Sequence, residues 1–383
     1  MLRVGIVANE PSGDTLGAGL MRALRCGGRE EVSFRGVGGP QMEQAGMVSL
    51  YPMERLSVMG LVEVAKHLPE LLSIRRELKR HFLADPPDVF IGVDAPDFNL
   101  GLERALRNQG IPTVHYVSPT VWAWRPKRVK KIKASVDLML SIFPFEFDFL
   151  RRHQVPVVYV GHPLANDIPI APDPGAARDR LGIAADARII ALLPGSRVSE
   201  VEALSEIFLG AALQCREKNP GLQFLVPLVN QRTRDVFEGI QKTVAPGLPL
   251  RVLQGQSRDA MLAADVVLTA SGTATLEGLL LKVPMVVAYR LSPLTYWIVK
   301  TLNLVQVPFV AMANLLAGEE IAPEFIQERA RPELISAALL EILDSPERVA
   351  KIRSVCHRIH GTLRQDTGTL AADAVRELVK SRQ

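Results

Sequence analysis

Two strand-like runs in the second half of the chain end in residue types that suit a phosphate. The run Ala191-Leu192-Leu193 passes through Pro194-Gly195-Ser196-Arg197 into a long helical pattern that carries Glu200. Gly195 lets backbone approach a ligand closely, Ser196 can donate a hydrogen bond, and Arg197 can grip phosphate oxygens in a bidentate fork. A helix start also offers free N–H groups to an anion. The second run, Val266–Thr269, ends in Ala270-Ser271-Gly272-Thr273 and again enters a helix, with Glu277 farther along it. That helix N-terminus suits a phosphate, and Glu277 suits the hydroxyl pair of a ribose. Taken singly, each stretch also reads as an ordinary helix cap. Two such ends on different strands weaken that explanation, because ligands of parallel sheets sit outside the strands' carboxyl ends.

The first half supplies carboxylates. Asp94, in Gly92-Val93-Asp94-Ala95-Pro96-Asp97-Phe98-Asn99, follows the strand-like run Val89–Val93. A carboxylate there can act as general base toward a sugar hydroxyl, or simply close a turn. Asp97 reads as the cap of a helix that begins at Phe98. Glu10, in Asn9-Glu10-Pro11-Ser12-Gly13-Asp14, follows the first strand-like run and is expected to face the same cleft as Asp94. This stretch is not the glycine fingerprint of a dinucleotide site, and Ser12 to Asp14 read as a tight turn plus helix start. Late in the chain, Asn314 in Asn314-Leu315-Leu316-Ala317-Gly318 can bond a sugar or phosphate, or can satisfy loop backbone groups.

Two further segments place apolar bulk beside positive charge. Leu56, Val58, Met59, Leu61, Val62 and Val64 precede Arg75, Arg76, Lys79, Arg80 and His81; Trp122 and Trp124 stand beside a basic run from Arg125 to Lys133. Such neighbours suit an anionic membrane surface or an acyl–phosphate ligand. They suit a packed helix pair with a solvated outer face equally well.

These residues need a scaffold that sets strand ends side by side. Short apolar runs alternate with amphipathic stretches through both halves, the pattern of parallel strands in βα units. Strands are predicted at Arg3–Ala8, Val32–Gly36, Val89–Val93, Thr113–Val117, Asp137–Ile142 and Val157–Val160. The second half repeats the rhythm at Arg188–Leu193, Gln223–Pro227, Leu250–Leu253, Val266–Thr269 and Pro284–Ala288, and a helical tail follows Pro332. Between the halves, Gly161 to Gly175 carries four prolines and reads as a hinge. The expected class is α/β: two Rossmann-like domains, residues 1–165 and 166–383, with parallel sheets facing across a cleft and C-terminal helices. Sugar-nucleotide transferases, sugar epimerases and two-domain binding proteins all fit that pattern.

Bulk properties remove other classes. The 383 residues carry a net charge of +4 and only 5% aromatics, too little of either for a nucleic-acid surface. Three cysteines without paired spacing argue against a disulfide framework or a zinc site, and suit a reducing cytoplasm. The N-terminal apolar run is too short for a secretory signal. No apolar run reaches the roughly 18 residues of a spanning helix, so any membrane contact is expected to be peripheral.

Seven stretches together resemble the lipid-A-disaccharide synthase family of the glycosyltransferase-B superfamily: EPSGDTLGAGL, VMGLVEV, VDAPDFN, HYVSPTVWAWR, LLPGSR, ASGTATLE and NLLAG, in consistent order from Glu10 to Gly318. HYVSP…WAWR and DAPDFN are the most distinctive, and favour this family over other sugar-nucleotide enzymes and over a non-catalytic sensor. The resemblance implies an inverting transferase that joins UDP-2,3-diacylglucosamine to 2,3-diacylglucosamine 1-phosphate at the inner face of the inner membrane of Gram-negative bacteria. It implies no cofactor and no catalytic metal. By motif match Asp94 becomes the base and Arg197 the phosphate ligand, with Glu10 and Asn314 as further required positions. Gly195, Ser196, Ser271, Gly272, Thr273 and Glu277 would complete the UDP-sugar site. Val58, Met59, Leu61, Val62, Val64, Trp122, Trp124 and Arg125 would meet lipid. A homodimer is compatible with the sequence. The chain departs from the family pattern at Asn9 and Pro11, where Gly and Thr are expected, and at Ala313, where Pro is expected.

Overall fold

The computed structural model describes residues 1–28, 30–57, 61–120, 128–270, 272–291 and 308–382, and for 61–66 the backbone alone. These residues form two compact units. Met1–Asn166 together with Leu363–Gln383 makes the first, and Asp167–Thr362 the second.

Among the described residues the first unit holds a seven-stranded sheet in the order β3-β2-β1-β4-β5-β6-β7. Its strands are β1 (Leu2–Ala8), β2 (Val32–Val37), β3 (Met47–Ser49), β4 (Val89–Val93), β5 (Thr113–Tyr116), β6 (Leu138–Ser141) and β7 (Val157–Tyr159). The second unit holds a six-stranded sheet ordered β10-β9-β8-β11-β12-β13. These strands are β8 (Ile189–Leu193), β9 (Gln223–Leu228), β10 (Leu250–Gln254), β11 (Val266–Thr269), β12 (Met285–Tyr289) and β13 (Glu324–Ile326). Every neighbouring pair is parallel. Helices cover both faces of such sheets, so central strands bury every side chain and read as unbroken apolar runs. Val89-Phe90-Ile91-Gly92-Val93 and Ile189-Ile190-Ala191-Leu192-Leu193 are wholly buried for this reason.

The strand order reverses once in each sheet, between β1 and β4 and between β8 and β11. A parallel sheet opens a crevice at such a point, because the connections on its two sides leave in opposite directions. Ala8 pairs with Val93 at the end of one ladder, so Glu10 and Asp94 follow it directly. Leu193 pairs with Thr269 at the end of the other, so Pro194–Arg197 and Ala270–Thr273 follow it in the same way.

Some sequence expectations shift. Strands β3 and β13 have three residues each, one of them polar in each strand, and were not anticipated. The helix after β1 spans Pro11–Cys26 and the helix after β4 spans Pro96–Arg107, each with proline in its first turn. Proline lacks the N–H that a first turn leaves unpaired, and its fixed φ suits that position. Ser12, Gly13 and Asp14 therefore lie inside a helix rather than in a turn. Asp97 is likewise inside its helix and exposed; the capping position is Ala95, with no side-chain cap bond.

Buried clusters among the described residues contribute to the first unit's core. Val7, Phe82, Phe90 and Leu102 belong to one, and Leu56 joins it instead of a lipid-facing strip. The second unit packs Phe208, Phe224, Phe237 and Leu339 around β8 and β9. The last helix, Thr367–Lys380, returns to the first unit and packs on the Pro11–Cys26 helix. His162 N donates to Leu363 O at 2.9 Å and Asn166 Nδ2 to Gln365 O at 2.8 Å, fastening this returning segment.

Candidate functional site

In the second unit a hollow of about 310 Å³ opens where β8 and β11 end. That is the lower end of the range for small-molecule sites. Gly195, Ser196, Arg197, Gly272, Thr273 and Glu277 line it. Gly195 has φ 134°, and a Cβ there would stand 2.5 Å from Glu200 Cβ, so no other residue fits the turn. Arg197 keeps its side chain 62% exposed toward the hollow, with Nη1 3.6 Å from Glu200 Oε1.

Glu200 changes what the loop can offer. Its Oε2 accepts from Ser196 N at 3.0 Å and Arg197 N at 3.2 Å, so these two amides are not open to a ligand. The carboxylate at the third helical position reaches back to the helix start, as in half of a capping box, and Arg197, which has no acceptor, cannot return the bond. Sequence reasoning noted Glu200 without giving it this part, because the cap signature has Ser, Thr, Asp or Asn where Arg197 stands. The helix Thr273–Leu281 starts on Gly272, and Thr275 Oγ1 donates to Gly272 O at 2.8 Å. Glu277 stands one turn on, with Oε1 held by Arg258 Nε at 3.0 Å. Arg258 was not anticipated, since it comes from the helix Ser257–Ala263. Tyr289, at the end of β12, was also missed. Burial and the charge of Glu200 push its phenol above the usual value, while Arg197 opposes them.

Asn314 is a correction. Its side chain is completely buried and uses its amide inside the protein. Nδ2 donates to Ala322 O at 2.7 Å and Glu324 Oε1 at 2.8 Å, while Oδ1 accepts from Ile321 N and Ala322 N. An amide with both donors and both lone pairs engaged has nothing left for a sugar. It folds the loop after the helix Met312–Ala317, and the neighbouring Ala313 is buried.

In the first unit Asp94 leaves β4 with φ 53° and stays partly exposed; its N–H donates to Tyr116 O at 2.8 Å. Glu10 is the N-cap residue of the Pro11–Cys26 helix, in extended backbone, and its carbonyl accepts from Asp14 N at 2.9 Å. The fold thus brings Glu10 and Asp94 to one switch point, and Arg197, Gly272, Thr273 and Glu277 to the other.

Val58, Met59, Trp122, Trp124, Arg125 and Ser271 lie outside the described residues. Leu61, Val62 and Val64 fall in the first turn of the helix Leu61–Ala84, on its backbone-only portion. Farther along it Leu68 and Leu72 are exposed, at 47% and 39%, with Arg75, Arg76 and Lys79 following. Among the described residues no helix is long and apolar enough to cross a membrane, and no cluster of three metal-ligating side chains occurs.

The family model for lipid-A-disaccharide synthetase matches residues 4–378. A lipid-A-disaccharide synthase of Pseudoalteromonas translucida is 49% identical over 380 residues, 99% of this chain and 98% of that one. One from Pseudomonas aeruginosa is 52% identical over 381 residues, 100% and 99% of the two chains. Among solved structures, a Neisseria meningitidis UDP-GlcNAc 2-epimerase bound to UDP-GlcNAc superposes with a TM-score of 0.61 at 12% identity, covering 99% of this chain and 100% of its own. Acinetobacter baumannii MurG gives 0.60 at 14%, covering 98% and 100%. At such identities the structural likeness concerns the fold: both the expected α/β class and its two Rossmann-like domains are found.

Proposed function

The chain belongs to the lipid-A-disaccharide synthetase family, and on that premise we propose that it joins UDP-2,3-diacylglucosamine to 2,3-diacylglucosamine 1-phosphate, releasing UDP and lipid A disaccharide 1-phosphate. The observation that carries this is the full-length family match, which spans both switch points and the residues at each. The second unit takes the donor. Arg197 and the N-terminus of the Thr273–Leu281 helix face the diphosphate, and Glu277, steadied by Arg258, accepts from the ribose hydroxyls. The Neisseria epimerase, bound to UDP-GlcNAc, shows that this fold can hold such a nucleotide.

The first unit takes the acceptor. Asp94 removes the proton from its 6-hydroxyl as that oxygen attacks the anomeric carbon. The bond from that carbon to UDP breaks, and attack from the opposite side inverts the centre. Negative charge growing on the diphosphate is met by Arg197 and the helix dipole. Glu10, beside Asp94 at the strand ends, orients the acceptor sugar. Acyl chains and the anionic inner face of the membrane meet the segments at Val58–Val64 and Trp122–Arg125. The exposed Leu68 and Leu72 with the basic residues after them support that side.

The test is a coupled measurement in detergent with chelator present. Purified protein receives both lipid substrates, and UDP and disaccharide are followed. Equal amounts of the two products are expected. UDP binding without disaccharide would sink the proposal.

A further inference from the structure

The turn that carries Asp94 is held in a conformation that its residues do not favour. Asp94 and Ala95 both take left-handed angles, φ 53° and 43°. Aspartate tolerates such angles better than most residues, but alanine does not, so the strain falls on Ala95. Strain of this kind persists only where surrounding contacts over-determine the backbone. Here the contacts are identifiable. The Asp94 N–H is held by Tyr116 O of β5, and the Asp94 carbonyl accepts from Asn99 Nδ2 at 2.9 Å. The same nitrogen lies 3.3 Å from Val93 O and 3.4 Å from Val7 O. One completely buried amide therefore ties the end of β4 to the end of β1, the strand that leads to Glu10.

Asn99 stands beside a second buried feature. It shares a face of the Pro96–Arg107 helix with Glu103, one turn on. Glu103 Oε1 lies 2.7 Å from His115 Nδ1, and neither residue has any exposure. His115 is the register partner of Gly92 across β4 and β5. A Cβ at Gly92 would stand 2.1 Å from Glu103 Oε1 and 2.8 Å from Asn99 Cβ, so glycine alone lets the helix settle this closely. Packing does not account for the pair, because apolar residues of similar volume fill such a layer as well or better. Burial pushes the Glu103 carboxyl above its usual range, against the pull of His115. What the arrangement does fix is geometry, directly beneath the turn.

We propose that Asn99, which lies over Gly92 together with the buried Glu103–His115 pair, is the positioning residue that holds the Asp94 carboxylate in place for proton removal. This rests on the assignment of Asp94 as base. It gives a role to the final residue of the DAPDFN stretch and to the histidine of HYVSP.

A double-mutant cycle on kcat tests it, with the full-length protein in the detergent assay. Asp94→Asn, Asn99→Leu and the double variant are compared with wild type, and thermal unfolding confirms that each is folded. Asn99→Leu is expected to lower kcat about 10- to 100-fold, the loss typical of a displaced catalytic group. The KM for the UDP-sugar, bound by the other unit, should stay unchanged. In the Asp94→Asn background the same substitution should cost less than about twofold, since interacting residues are not additive. Equal losses in the two backgrounds, or wild-type kcat for Asn99→Leu, overturn the positioning role while leaving the base in place. Near-wild-type kcat for Asp94→Asn overturns the base and this proposal with it. Should Asn99→Leu not fold, Asn99→Asp keeps the shape, removes the amide hydrogens and goes through the same cycle with the same outcomes.

Discussion

At the end of β8 the backbone turns on Gly195, whereas at the end of β4 it turns on Asp94 and Ala95 with no glycine at either position. Each turn adjoins the reversal of strand order in its sheet, though from opposite sides of it: β8 neighbours β9, whereas β4 neighbours β5. Their furnishing is opposite. Around Gly195 the reactive side chains are long and partly exposed, and one ion pair on each side steadies them. Around Asp94 the side chain is short, and a buried amide fixes the backbone on which it stands. The contrast matches the two tasks proposed for these turns. A diphosphate is met by several donors, any of which can adjust. A proton is removed by one carboxylate, whose reach is a single hydrogen-bond length.

Substitutions that separate the two turns sharpen this contrast. Asp94→Asn should have the largest effect, a fall in kcat of about 10²- to 10⁴-fold, the usual worth of a general base. The KM for the UDP-sugar should hardly move in steady-state kinetics, and a large rise in that KM would place Asp94 at the donor instead. Arg197→Ala should cost roughly 10²- to 10³-fold in kcat, as loss of a charge-stabilising donor does. Inhibition by UDP should weaken alongside, and unchanged inhibition would break the assignment. Glu277→Gln should weaken UDP about tenfold by calorimetry, in line with a hydrogen bond to a charged group. The smallest effect belongs to Ala95→Gly. It relieves a left-handed alanine yet frees the chain, so stability should change by less than about 1 kcal/mol. Turnover should still fall a few-fold if the strained turn aims Asp94, and an unaltered kcat would show the strain to be incidental.

The fold class was legible because two-faced burial writes itself into a parallel strand as an unbroken apolar run. Val89–Val93 and Val266–Thr269 coincide with observed strands on that account. Strands β3 and β13 carry no such signature, since Met47-Val48-Ser49 and Glu324-Phe325-Ile326 each include a polar residue, whereas the equally short edge strand β7 is apolar with Val157-Val158-Tyr159 and was anticipated. Strand ends rich in Gly, Ser and Arg pointed to the second unit's hollow. The left-handed turn at Asp94–Ala95 was hidden, because alanine does not announce a positive φ, aspartate does so only weakly, and the contacts that impose it come from Tyr116 and Asn99. Asn314 misled for a related reason. An amide in a loop motif looks available until the Ile321–Glu324 segment, which folds back over it, is known.

The first unit is closed by residues that are made after the whole of the second. All of Asp167–Thr362 leaves the ribosome before Leu363–Gln383 does. Domains commonly fold in order of synthesis, but here the second body can be finished while the first still lacks its final helix. Until then the Pro11–Cys26 helix has nothing over the face that Ala371, Ala372, Val375 and Val379 later help to cover. A nascent chain stopped just short of residue 363 would carry that apolar face into the cell uncovered, and is a natural client for chaperones and proteases.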